Sequence, residues 1–151
     1  MKKLLNQFPI SYIDIRFCAH ATEDIKKVIE AVENIFPDDH VKNIKFGKNV
    51  VEGHYGNPII FFNTRIKDKE IVSGLVKKIS SNLNLYDKKN LGADKHRCID
   101  KGNLYVRLDK QAALKKEIKV VKSDPIRIRI RFMKTKFDDL VKVCREIGML
   151  I

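Results

Sequence analysis

The stretch PIRIRIRF, residues 125 to 132, sets Arg127, Arg129 and Arg131 against Ile126, Ile128, Ile130 and Phe132 in strict alternation. On a strand, same-face neighbours lie two rises apart, about 6 to 7 Å, so the three guanidinium groups form a ladder of positive charge. NLYVRLD, 103 to 109, repeats the pattern, with Tyr105 and Arg107 facing away from Leu104, Val106 and Leu108. Arginines beside an aromatic ring suit phosphate contacts and base stacking. The same pattern also suits a solvated face, or one salt-bridged to Asp14 and Asp109 and covered by a second subunit.

Two further places could join such a surface. At Asp109-Lys110-Gln111-Ala112 a strand gives way to a helical turn, whose free amides together with Lys110 and Gln111 could hold one phosphate; plain N-capping by Asp109 is the simpler account. In EGHYGNPI, Gly53 and Gly56 allow positive φ, Asn57 is pushed toward extended geometry, and Pro58 can begin a strand. The turn does not require His54 or Tyr55, and both residue types stack on bases or bond to phosphates.

Other chemistry is thin. Glu23 and Asp24 could bind a metal, but acidic residues at a helix entrance serve first as helix stabilisers. Cys18-Ala19-His20 and His96-Arg97-Cys98 would supply two sulfurs and two nitrogens for zinc, yet straight i, i+2 spacing lacks the turn that zinc knuckles need. No GxSxG, phosphate-loop or HExxH motif occurs. No catalytic residue, metal or cofactor is assigned. A metal-dependent nuclease built on Asp14, His20, Glu23, Asp24 or His54 ranks last, because these residues have no defining spacing.

The elements that would position these residues follow from periodicity. ISYIDIRFCA, 10 to 19, alternates as a strand. Residues 20 to 39 carry a helix with Ile25, Val28, Ile29, Val32, Ile35 and Phe36 on one face, Thr22 as cap and Pro37 as stop. VKNIKFGKNVVEGHYG predicts two short strands turning near Gly47 to Asn49, and PIIFFNTRI a third, whose IIFF run implies cover on both faces. A second helix, capped by Asp68, carries Ile71, Val72, Leu75, Val76, Ile79 and Leu83. Residues 84 to 95 read as an exposed connection. HRCID and NLYVRLD flank a hairpin at Lys101-Gly102-Asn103, QAALKK makes a helical turn, and Thr135 to Asp138 resembles a capping box opening a last helix. Runs of strands with a few helices predict an α+β class: an antiparallel sheet with helices packed mainly on one face.

Composition sets the outer bounds. At 151 residues, 33% charged and 44% hydrophobic, the chain suits a single globular domain over 1–151. No apolar run approaches a membrane span, and MKKLLNQFPI lacks an apolar secretory core, so a cytoplasmic location is expected. Three cysteines, an odd count, suit reduced thiols. The net charge is +12, and residues 1 to 75 hold 11 basic and 10 acidic side chains against 20 and 9 in the remainder. Such asymmetry points to a polyanionic partner, nucleic acid before membrane.

HATED, EGHYGNPI, NLYVRLDKQAAL and IRIRIRF, taken in order, resemble an archaeal family of predicted RNA-binding proteins, often described as a predicted exosome subunit. The resemblance covers most of residues 10 to 132. It implies a fold similar to that of the fifth large-subunit ribosomal protein, a homodimer, and RNA binding with possible exosome association. The combined expectation is a non-catalytic RNA-binding protein with weak base specificity, using His54, Tyr55, Tyr105, Arg107, Lys110, Gln111, Arg127, Arg129 and Arg131. The alternative is a dimeric structural adaptor whose open sheet face is a protein interface.

Overall fold

The computed structural model describes residues 10–39, 44–133 and 136–151, with His54 described in its backbone alone. The chain runs β1 (Ile10–Ala19), α1 (Ile25–Glu33), β2 (Gly47–Glu52), β3 (Pro58–Ile66), α2 (Lys69–Asn82), α3 (Leu85–Ala93), α4 (Lys95–Cys98), β4 (Ile99–Asp100), β5 (Asn103–Leu108), α5 (Lys110–Leu114), β6 (Ile126–Phe132) and α6 (Phe137–Glu146). One six-stranded sheet has the order β2-β3-β1-β6-β5-β4, every neighbouring pair antiparallel. The class is α+β, as the sequence implies.

β1 and β6, the two strands of cleanest alternation, lie at the centre of the sheet. Their apolar sides, Ile13, Ile15, Ile126, Ile128 and Ile130, are fully buried together with Leu104 and Leu108 of β5. Val32 of α1, Leu75 and Ile79 of α2 and Leu140 and Cys144 of α6 belong to the same core. Each such aliphatic side chain contributes about 1.5–3 kcal/mol relative to exposure. The helices therefore serve one face, and the opposite, arginine-bearing face is left open.

Several local expectations change. The first helix is capped by Asp24, whose carboxylate accepts from the Lys26 amide at 3.0 Å, rather than by Thr22. Gly47 to Asn49 is not a turn but the start of edge strand β2, and residues 41–43 lie outside the described part. The β2–β3 hairpin closes instead through a short 3-10 turn, His54–Gly56. There Gly56 has φ +76°, but the second left-handed residue is Tyr55 (φ +66°), not Gly53. Gly53 matters for space: a Cβ there would meet the Asn57 carbonyl oxygen at 2.9 Å. The expected connection over 84–95 is mostly helix, because Asn84 accepts from the Asp87 amide at 2.7 Å and caps α3. That helix buries only Asp87 and Leu91 and so has no apolar stripe to read. His96 to Cys98 belong to a helical turn rather than a strand. Thr135 lies outside the described residues, and Lys136 at the cap position makes no side-chain capping bond. Finally, IIFF is not covered on both sides within this chain: Phe62 is buried, whereas Phe61 on the open face is 42% exposed.

The Lys101-Gly102 hairpin is as expected. Both residues have positive φ, 49° and 86°, the geometry of a two-residue turn whose twist matches the flanking strands.

Candidate nucleic-acid interface

Residues paired directly across antiparallel strands share a face, so the register turns strand patterns into rows. One row runs Arg65 (β3), Asp14 (β1), Arg129 (β6) and Tyr105 (β5). The next runs Asn63, Arg16, Arg127 and Arg107 on the same four strands. Beside that, Phe61 pairs with Cys18.

The charges of the first row are paired internally, although the buried Nε of Arg129 has no hydrogen-bond partner among the described residues. Arg65 donates from Nε to Asp14 Oδ1 at 2.7 Å and from Nη2 to Oδ2 at 3.1 Å, and Arg129 Nη2 donates to the same Oδ2. Arg65 also lies 4.0 Å from the Tyr12 ring centroid, a cation–π contact. Burial would raise the Asp14 carboxyl, but the hydrogen bonds and charges of the two arginines outweigh it and hold the group below its ordinary value.

The second row is not satisfied. Arg16, Arg127 and Arg107 are all exposed, sit on three adjacent strands, and make no ion pair among the described residues. Adjacent strands are about 4.8 Å apart, so three like charges stand side by side, an arrangement that costs stability unless an anion relieves it.

The ladder expected along β6 therefore divides. Arg129 is neutralised by Asp14, Arg131 donates from Nη1 to the Lys101 carbonyl, and Arg127 alone joins the unpaired row. Arg107 and Tyr105 lie beside it, Tyr105 being 38% exposed. Lys110 is elsewhere: it is buried, and its Nζ donates to the Cys18 carbonyl at 2.6 Å while contacting Asp124 at 3.0 Å and Glu23 at 3.2 Å. No donor of Lys110 is left over for a phosphate. Gln111 is exposed on α5, which packs against the end of α1 through Asn34 Nδ2 donating to the Ala113 carbonyl at 3.0 Å. Tyr55 is 94% exposed at the hairpin tip, beyond the rows, and the side chain of His54 lies outside the described part.

Sequence reasoning missed Arg16, Asn63 and Phe61. The parity of β1 placed Arg16 outward, but only the register reveals that it meets Arg127.

Three depressions run across the open face. One of about 670 Å³ includes Arg16, Arg127, Asn63 and Phe61 in its lining. A smaller one of about 250 Å³ joins Arg16 and Arg127 to Arg107 and Tyr105. A third of about 780 Å³ continues from Tyr105 and Arg107 to Arg97, Tyr86 and Lys122 beside α3. Each shares residues with the next, giving a track transverse to the strands.

Among the described side chains, His20 and Glu23 lie 4.0 Å apart, and Asp14 and Asp24 do not join them. Asp14 is held by arginines and Asp24 caps α1. Among the described residues, Cys18, His20 and Asp124 bring ligand atoms within 4.8 Å of one another, without His96, which stacks on Phe137 at 4.8 Å, and without Cys98. The Lys110 ammonium already supplies a positive charge to Asp124 and Glu23. Burial would raise the Asp124 carboxyl, but bonds from Lys110 and His20 hold it below its ordinary value. Burial raises the Cys18 and Cys98 thiols and pushes Cys144 up to about 12, so the thiols are protonated at neutral pH.

Comparison with known proteins places the chain among archaeal relatives. A family profile described as RNA binding matches residues 12–132. The RNA-binding protein PAB1135 of Pyrococcus abyssi is 34% identical over 139 residues, covering 89% of this chain and 90% of that protein. The uncharacterized protein MJ0213 of Methanocaldococcus jannaschii is 36% identical over 131 residues, covering 82% of this chain and 80% of its own length. Among solved structures, Mth689, a DUF54 protein from Methanothermobacter thermautotrophicus, superposes with a TM-score of 0.75 at 27% identity, covering 92% of this chain and 98% of that one.

Proposed function

The chain belongs to the archaeal RNA-binding family whose profile spans residues 12–132, and from that premise we propose that it binds RNA on the open sheet face without catalysing a reaction on it. The observation that carries this reading is the row Arg16, Arg127 and Arg107, three exposed guanidinium groups on adjacent strands with no carboxylate partner among the described residues. A polyanion relieves their mutual repulsion, and each bound phosphate releases counterions. Guanidinium contacts to phosphate set position and carry no sequence information directly, which matches weak base specificity. Arg129, one row away, and Arg131, two rows away on the same side, are secondary contacts, and Lys110 and Gln111 fall outside the row. A non-catalytic domain of this kind suits delivery of RNA to processing or degradation in the archaeal cytoplasm, with the exosome as the partner the resemblance implies.

The test is fluorescence anisotropy with labelled RNA. Exchanging Arg16, Arg107 and Arg127 together for glutamine should weaken binding at least tenfold while leaving the thermal transition in place. Unchanged affinity would move the site off this face.

A second feature supports a homodimer formed elsewhere. Edge strand β2 is exposed along its whole length, with Val50 57% and Val51 41% exposed, and its outer edge has no strand partner among the described residues; such an edge with apolar side chains is a template for pairing with a second copy. Pairing there leaves the arginine row free.

A further inference from the structure

Resting on the RNA-binding proposal, we infer that the ligand is single-stranded RNA lying diagonally across the strands, with splayed bases stacked on Phe61 at one end and Tyr105 at the other. The two rings occupy opposite corners of the arginine row. Phe61 sits on β3 one row to one side of it, and Tyr105 sits on β5 one row to the other side. Three strand spacings and two rows of two residues separate their Cα atoms by about 19 Å.

Both rings are exposed on the open face, 42% for Phe61 and 38% for Tyr105. Neither is needed by the core, which lies on the opposite face. An exposed Phe on a solvated strand has no structural gain to offset its hydration, whereas a base stacked on it buries the ring.

The spacing selects the form of RNA. In an A-form RNA duplex the bases are paired, stacked on one another and turned inward, so neither ring can take a base. Single-stranded RNA can splay its bases and extend its backbone between them, as in other sheet-face readers where aromatic side chains stack two or three bases. The row Arg16, Arg127 and Arg107 then lies under the intervening phosphates. The depressions at both ends have room for a base beside each ring, and Asn63 stands next to Phe61, where an amide can meet a base edge.

The experiment compares a labelled single strand of about eight nucleotides, within the usual footprint of sheet-type binders, with a hairpin duplex of the same sequence. The single strand should bind at least tenfold more tightly. Phe61→Leu and Tyr105→Leu should each weaken the single strand about tenfold and leave duplex binding unchanged, while Tyr105→Phe should bind as the wild type. A duplex bound as tightly as the single strand, or ring variants of full affinity, would overturn the inference and leave the RNA-binding reading standing. Binding of neither RNA would instead overturn that reading.

Discussion

On the face proposed to hold RNA, Asp14 acts as an internal anion. Its carboxylate takes hydrogen bonds from Arg65 and Arg129 while lying only 6% exposed, so it neutralises one row and not the next. Two opposite effects should follow from Asp14→Ala. Stability should drop by about 2 kcal/mol, the scale of hydrogen bonds to a charged group, measured by urea unfolding. RNA affinity should rise several-fold, because two guanidinium groups are released; a fall in affinity would contradict the assignment of Asp14 as competitor rather than contact. The folded carboxyl is depressed, so its stabilisation is present above the unfolded value near 3.8 and is lost as pH falls through the folded one. Wild-type stability should therefore decline below about pH 5, and the decline should be shallower in Asp14→Ala.

At the scale of elements, Lys110 is a fastener. From the start of α5 it reaches the end of β1 through the Cys18 carbonyl, the entrance of α1 through Glu23, and the segment before β6 through Asp124. Lys110→Met should lower stability by about 1–2 kcal/mol, since it removes hydrogen bonds from two partly exposed carboxylates and a carbonyl, yet leave the RNA affinity of the folded protein unchanged. A loss of affinity without a loss of stability would return Lys110 to the binding surface. The strands, their faces and the main helices were legible from alternation and helical spacing, because PIRIRIRF and ISYIDIRFCA expose one parity to solvent and bury the other. What could not be read was which strand lies beside which. Tyr105, Arg107 and Arg127 were found from parity, but Arg16 becomes a site residue only through pairing with Arg127. Helix α3 escaped for a different reason, since a helix held by a cap and two buried residues leaves no periodic pattern. Lys110 looked available because no local feature of the sequence announces a partner 87 positions away in Glu23.

For the whole molecule, net charge of +12 raises affinity for any polyanion, and most of the excess lies after residue 75. The halves of the chain are nevertheless a poor map of the surface, because β1, from the acidic-balanced half, is inserted between β3 and β6 and brings Arg16 into the basic row. If β2 edges pair, light scattering at micromolar concentration should give twice the 17.5 kDa chain mass. Val51→Lys should return the monomer with RNA binding retained; a wild-type monomer would contradict the edge dimer. The most direct test of the central claim is the slope of log affinity against log salt for single-stranded RNA, in wild type and in the Arg16→Gln, Arg107→Gln, Arg127→Gln triple variant. Each phosphate contact to a single strand contributes a slope of about −0.7, so losing three should flatten the line by about 2. Parallel lines for the two proteins would show that the arginine row does not hold the RNA.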